Sequence, residues 1–95
     1  MNPRLTAISG RLKGSVFNIE DVPVVIGRET SATLCIADAS VSRRHSQIEK
    51  ENSQFVIQDL ESLNGTFIND VPVKRRKLQH GDRVRIGETL VIPEN

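Results

Sequence analysis

The sequence predicts an all-β domain, and three observations carry that prediction. Helical periodicity is hard to find anywhere along the 95 residues. Short apolar runs with period-2 alternation recur instead, and Gly, Pro, Asn, Asp and Ser fall between them where tight turns need them. Many short strands at this spacing fit a sandwich or a barrel.

Taken in order, the first run covers residues 4–9 (RLTAIS), and Gly10 and Gly14 separate it from residues 15–20 (SVFNIE). Asp21 and Pro23 break the chain before residues 24–28 (VVIGR), and residues 33–37 (TLCIA) form a fourth run. Residues 45–51 (HSQIEKE) and 54–60 (QFVIQDL) flank Asn52-Ser53, a hairpin signature. Asn64-Gly65 opens residues 66–69 (TFIN), and Asn69-Asp70 with Pro72 ends them. After His80-Gly81-Asp82 comes the clearest alternation, residues 83–87 (RVRIG), where Val84 and Ile86 should face the core and the arginines water. Residues 89–93 (TLVIP) close the chain. No internal repeat, low-complexity tract or linker interrupts this order, so residues 1–95 read as one domain. It is expected to serve as a module of a larger signalling or regulatory protein.

Charge and cysteine content narrow the function classes. Thirteen basic residues against twelve acidic ones give a formal net charge of +1, which argues against a dedicated nucleic-acid binder with its basic excess. The single cysteine, Cys35, can form neither an internal disulfide nor, alone, a zinc site, so a reducing, cytoplasmic setting is expected. No apolar run approaches the roughly 18 residues of a membrane span, and the N-terminus lacks a signal-peptide apolar stretch; no membrane association is expected.

Two polar clusters invite a functional reading. In VSRRHSQI (residues 41–48) a serine, two arginines and a histidine stand together, but a Ser/His/Asp triad is a matter of geometry, and no GxSxG elbow is present. His45 and His80 lack a supporting ligand cluster, so neither a metal nor a cofactor is expected. KRRK (residues 74–77) reads as a solvated hairpin between Val73 and Leu78. The alternative is a patch that binds nucleic acid or an acidic protein surface, although only three Phe and no Tyr or Trp are available for base stacking.

A small phosphate site is the third reading, and three separated features have the chemistry for it, although each taken singly also fits an ordinary strand end or turn. Arg28 follows Gly27 at a strand end, where its planar fork of donors can project; Ser42 offers a hydroxyl and Arg43 another cation; Asn64-Gly65-Thr66 is a tight-turn signature with an amide side chain. Loops at one end of a sandwich can bring such groups together.

GR at residues 27–28, SRRH at 42–45 and LESLNGTFIND at 60–70, in this order and spacing, resemble the forkhead-associated (FHA) domain, a phosphothreonine-recognition module. The likeness covers nearly the whole chain. It implies a β-sandwich of about eleven short strands with the binding loops at one end, and no enzymatic activity. By motif position, Arg28 resembles the arginine that contacts phosphate, Ser42 the hydroxyl that bonds a phosphate oxygen, and Arg43 an assisting cation. Asn64 resembles the asparagine that holds the peptide backbone. The resemblance makes Gly27, His45, Gly65, Thr66 and Asn69 loop-structuring, with His45 bracing the loops.

Two departures matter. Leu63 stands where a Thr or Ser often adds a contact, and Asp70 replaces the commoner Gly of the following turn. Ser40 occupies the place where some members carry an arginine that selects an acidic residue, so it predicts no acidic preference. The implied partner is a threonine-phosphorylated protein or peptide, a Ser/Thr kinase substrate, bound by a monomer. The output would lie in another domain such as a transcription regulator, cyclase or secretion component.

Overall fold

Among residues 3–94, which the computed structural model describes, the chain forms eleven β-strands and no helix. They are β1 (Arg4–Ser9), β2 (Val16–Asn18), β3 (Val24–Gly27), β4 (Leu34–Cys35), β5 (Ser46–Glu51), β6 (Gln54–Asp59), β7 (Thr66–Ile68), β8 (Val71–Val73), β9 (Arg75–Lys77), β10 (Val84–Ile86) and β11 (Thr89–Glu94). Residues 1, 2 and 95 of the expected 1–95 domain lie outside the described residues.

Two sheets result, a six-stranded one in the order β2-β1-β11-β10-β7-β8 and a five-stranded one in the order β4-β3-β5-β6-β9. All ladders are antiparallel except β3 with β4. The alternation read from sequence decides which side chains fill the space between them. Leu5, Ala7, Ile68, Val84, Ile86 and Val91 of one sheet meet Val24, Ile26, Leu34, Ile48 and Ile57 of the other, all of them buried. Val84 and Ile86 are each 1% exposed, as their alternation with arginine requires, and the all-β sandwich is the observed architecture.

Strands β8 and β9 were not expected from the sequence. Val71-Pro72-Val73 carries a proline, which a ladder tolerates on an edge, and β8 is an edge strand. The KRRK hairpin is corrected by the structure: Lys74 is where the chain leaves one sheet for the other, and Arg75–Lys77 pairs with β6 from Gln58 to Val56. A run of cations has no apolar alternation to betray a strand, yet charges suit an exposed edge because they repel further pairing.

The register places one end of the sandwich. Ile26 pairs with Ser46, Ser46 with Asp59, Ile86 with Thr66, and Thr66 with Val73. The end of β3, the start of β5, the end of β6, the start of β7 and the β8–β9 crossing therefore all lie at the same end. The loops between β3 and β4, β4 and β5, and β6 and β7 emerge there.

Candidate functional site

The loop end begins with a close backbone approach. A Cβ built on Gly27 would stand 1.9 Å from the carbonyl oxygen of Arg43, so only glycine lets β3 run this near the segment 42–44. Three backbone bonds hold the approach: Arg28 N–H to Ser42 O at 3.0 Å, Glu29 N–H to Arg43 O at 3.3 Å, and His45 N–H to Ile26 O at 2.8 Å. Arg28 and Arg43, far apart in sequence, are thereby set side by side, and both side chains are exposed. The Nε of Arg28 donates to Val41 O at 2.9 Å, which fixes the plane of the guanidinium on this exposed side chain.

His45 is fully buried beneath these groups. Its Nδ1 accepts from Ser42 N–H at 3.1 Å, so the ring proton sits on Nε2, which donates to the carbonyl of Gly65 at 2.8 Å. Its own backbone carbonyl accepts from Leu60 N–H at 2.9 Å. One imidazole thus spans the β4–β5 and β6–β7 loops.

Two further bonds cross the same gap. The Oγ of Ser42 accepts from Leu63 N–H at 3.0 Å, and Asn64 Nδ2 donates to Ser40 O at 2.8 Å. With its oxygen engaged as acceptor, Ser42 keeps its hydroxyl proton available to donate. Asn64 is exposed, and its amide oxygen remains able to accept.

The β6–β7 loop rests on a carboxylate. Asp59, 8% exposed, accepts from Ser62 Oγ at 2.6 Å, Ser62 N–H at 3.1 Å and Thr66 Oγ1 at 2.7 Å. Ser46 Oγ lies 2.7 Å from Thr66 Oγ1, and Ser62 Oγ accepts from Gly65 N–H at 2.9 Å. Burial alone would raise the Asp59 carboxyl; the donors from Ser62 and Thr66 outweigh it and hold the group below the usual carboxylate range. Gly65, at φ +90°, makes the turn that aims its carbonyl at His45.

The structure therefore gathers Gly27, Arg28, Ser42, Arg43, His45, Asn64, Gly65 and Thr66 at one end. Asn69 is the exception. It lies at the far end of β7, where its side chain accepts from Arg83 N–H at 3.0 Å and donates to Asp82 at 3.2 Å. Both Asn69 and Asp70 have positive φ, 53° and 67°, as a type I′ hairpin requires, so Asp70 adopts the conformation usually given to glycine. The sequence reading missed Asp59, Ser62 and Ser46. The spacing of Asp59 and Ser62 was the available signal, since an aspartate three residues before a serine can cap a turn through its carboxylate.

On one side of Asn64 lies an open groove of about 510 Å³ bordered by Asp38, Ser40, Phe67, Arg85 and Glu88, and on the other a groove of about 410 Å³ bordered by Leu63, Pro72, Val73 and Lys74. No group of three or more His, Cys, Asp or Glu side chains that could hold a metal ion occurs among the described residues. Among the described residues no helix is long and apolar enough to cross a membrane. What the loop end can do is offer cationic forks, one hydroxyl and an amide to an anion on a short extended chain.

Comparison with known proteins agrees with this geometry. The FHA domain family model matches residues 24–87. The chain is 39% identical over 79 residues to the glycogen accumulation regulator GarA of Mycobacterium tuberculosis, covering 83% of this chain and 49% of GarA. It is 34% identical over 89 residues to the FHA domain-containing protein FhaB of Mycolicibacterium smegmatis, covering 93% of this chain and 57% of FhaB. The chain thus spans about half the length of these relatives.

Among solved structures, one described as a structural and functional analysis of phosphothreonine-dependent FHA domain interactions superposes with a TM-score of 0.89 at 29% identity. It covers 100% of this chain and 97% of that one. Mycobacterium tuberculosis EmbR in complex with a low-affinity phosphopeptide superposes at 0.90 with 26% identity, covering 98% of this chain and 24% of EmbR. The chain belongs to the FHA domain family.

Proposed function

We propose that this chain is a phosphothreonine-dependent interaction module that binds a threonine-phosphorylated protein or peptide in signal transduction. The observation that carries the reading is the joining of Arg28, Ser42, Arg43 and Asn64 at one loop end by a single buried histidine. In this reading the exposed guanidinium groups of Arg28 and Arg43 take the phosphate charge, and the free Ser42 proton bonds a phosphate oxygen. Asn64, tied by its Nδ2 to Ser40, accepts from the peptide backbone. The GarA, EmbR and FHA-domain likenesses support it. The module binds and does not catalyse, and its output passes through the partner or through a further domain such as a transcription regulator. A cytoplasmic setting with a Ser/Thr kinase substrate as partner fits the same reading.

The basic-patch alternative is weakened by the ion pairs of Arg75 with Glu51 and Arg76 with Asp82, which occupy two of its four cations. Calorimetric titration with a phosphothreonine peptide, its unphosphorylated twin and a phosphoserine twin tests the proposal. The phosphothreonine peptide should bind and the unphosphorylated twin should not. Burying the extra methyl alone gives about fourfold preference over phosphoserine, and its restricted rotamers add to that. Equal affinity for the phosphorylated and unphosphorylated peptides would refute the proposal.

A further inference from the structure

Two side chains at the loop end have no part in the contacts above. Leu63 is 89% exposed at the tip of the β6–β7 loop, a large apolar side chain held out in water by the bond from its own N–H to Ser42. Lys74 stands at the β8–β9 crossing. Its carbonyl accepts from Asp59 N–H at 2.8 Å, which fixes the crossing against the foot of the same loop.

Between them runs the groove of about 410 Å³, with Pro72, Val73 and Phe67 as apolar wall and Asn64 on its rim. The four cations of residues 74–77 separate cleanly here. Arg75 is engaged by Glu51 and Arg76 by Asp82, whereas Lys74 makes no ion pair among the described residues. Lys77 pairs across to Val56, well along β6 from the loop end, and borders a different depression. The acidic group nearest the groove, Asp59, is buried and saturated by hydroxyl and amide donors, so the cation of Lys74 is the charge presented to a ligand.

We infer that this groove is a specificity subsite for the segment flanking the phosphothreonine, taking an apolar side chain against Leu63, Pro72 and Val73 and an acidic side chain at Lys74. The inference rests on the proposed phosphothreonine reading, because a chain held at Asn64 must leave the phosphate site along one of the two grooves that this residue divides. A lone lysine opposite an acidic side chain has modest energy in water and gains from an apolar wall that excludes water. Ser40 offers no such selection, so a preference for acid would come from the opposite face of the loop.

The test uses a phosphothreonine peptide with alanine flanks and a set in which one glutamate is moved through each position from four before to four after the phosphothreonine. Each is titrated against the wild type, Lys74→Ala, Lys77→Ala and Leu63→Ala at one salt concentration. Glutamate at one position should raise affinity by about two- to fivefold. That gain should vanish in Lys74→Ala and persist in Lys77→Ala, while the alanine-flanked peptide binds Lys74→Ala as it binds the wild type. With leucine placed beside the preferred glutamate, the wild type should gain further and Leu63→Ala should not. A gain at no position, or one that survives Lys74→Ala or is lost equally in Lys77→Ala, overturns the subsite while leaving the phosphate reading intact. Failure of the alanine-flanked peptide to bind the wild type would overturn that reading and the subsite together.

Discussion

The Nε2 of His45 lies 2.8 Å from the carbonyl oxygen of Gly65, twenty residues further along the chain, while the Nδ1 of the same ring accepts from the N–H of Ser42. The two loops that carry Ser42 and Asn64 are therefore coupled through one fully buried side chain. Replacing it strands a donor on one loop and an acceptor on the other.

His45→Ala should cost about 2–6 kcal/mol, since each of the two polar groups it leaves without a partner costs roughly 1–3 kcal/mol. Thermal unfolding should move down by on the order of 10 °C or more. Phosphopeptide affinity should fall with it. If the melting temperature held while binding vanished, His45 would be a ligand contact and the bracing role would be wrong.

Gly27→Ala should be destabilising although alanine is small. Its Cβ would meet the Arg43 carbonyl oxygen at 1.9 Å and the carbonyl carbon at 2.7 Å, so β3 must part from segment 42–44. Overpacking of this kind typically costs about 1–3 kcal/mol. Because Arg28 and Ser42 would separate as well, chemical denaturation and peptide titration should both register the change.

Arg28→Ala should leave stability nearly unchanged, since the side chain is exposed, and should weaken phosphopeptide binding roughly ten- to a hundredfold from the loss of charged hydrogen bonds worth about 1.5–3 kcal/mol. Arg28→Lys should restore only part of the loss, because lysine lacks the Nε that holds the fork against Val41. Isothermal titration separates these outcomes, and full rescue by lysine would mean that charge alone is read.

Asp59 sets an acid limit on the fold. Its folded carboxyl titrates below its unfolded value of about 3.9, so its contribution is complete above that pH and is lost as pH falls through the lower folded value. Asp59→Asn should lower stability at neutral pH by about 1–3 kcal/mol and flatten the acid limb of the stability curve below its unfolded pKa of about 3.9. Denaturation followed from neutral pH down through the acid limb checks both, and an unchanged acid limb would remove Asp59 from its place under the loop.

Legibility in the sequence followed periodicity. Val84 and Ile86 were readable as core because arginines alternate with them, and the hairpin at Asn52-Ser53 is formed with both residues at positive φ. β8 and β9 were not readable, because Pro72 and the cations of residues 75–77 carry edge-strand chemistry instead of the inward-outward pattern of paired strands. At the site, Arg28, Ser42 and Asn64 could be singled out by residue type and motif spacing. The carboxylate beneath them could not, because the function of Asp59 depends on which hydroxyls the fold brings to it. Nor did the sequence separate Lys74 from its three basic neighbours; only the register, which ends β8 at Val73 opposite Thr66, puts Lys74 at the loop end.

The most direct measurement is the backbone amide spectrum of the isotopically labelled chain, recorded as a phosphothreonine peptide is added. The largest shifts should fall on residues 28, 42, 43 and 63–65, with the Leu63 amide prominent because it bonds the hydroxyl that would turn to phosphate. Shifts concentrated on residues 75–77 with the loop amides unmoved would contradict the phosphate site at the loop end and restore the basic strand as the binding surface.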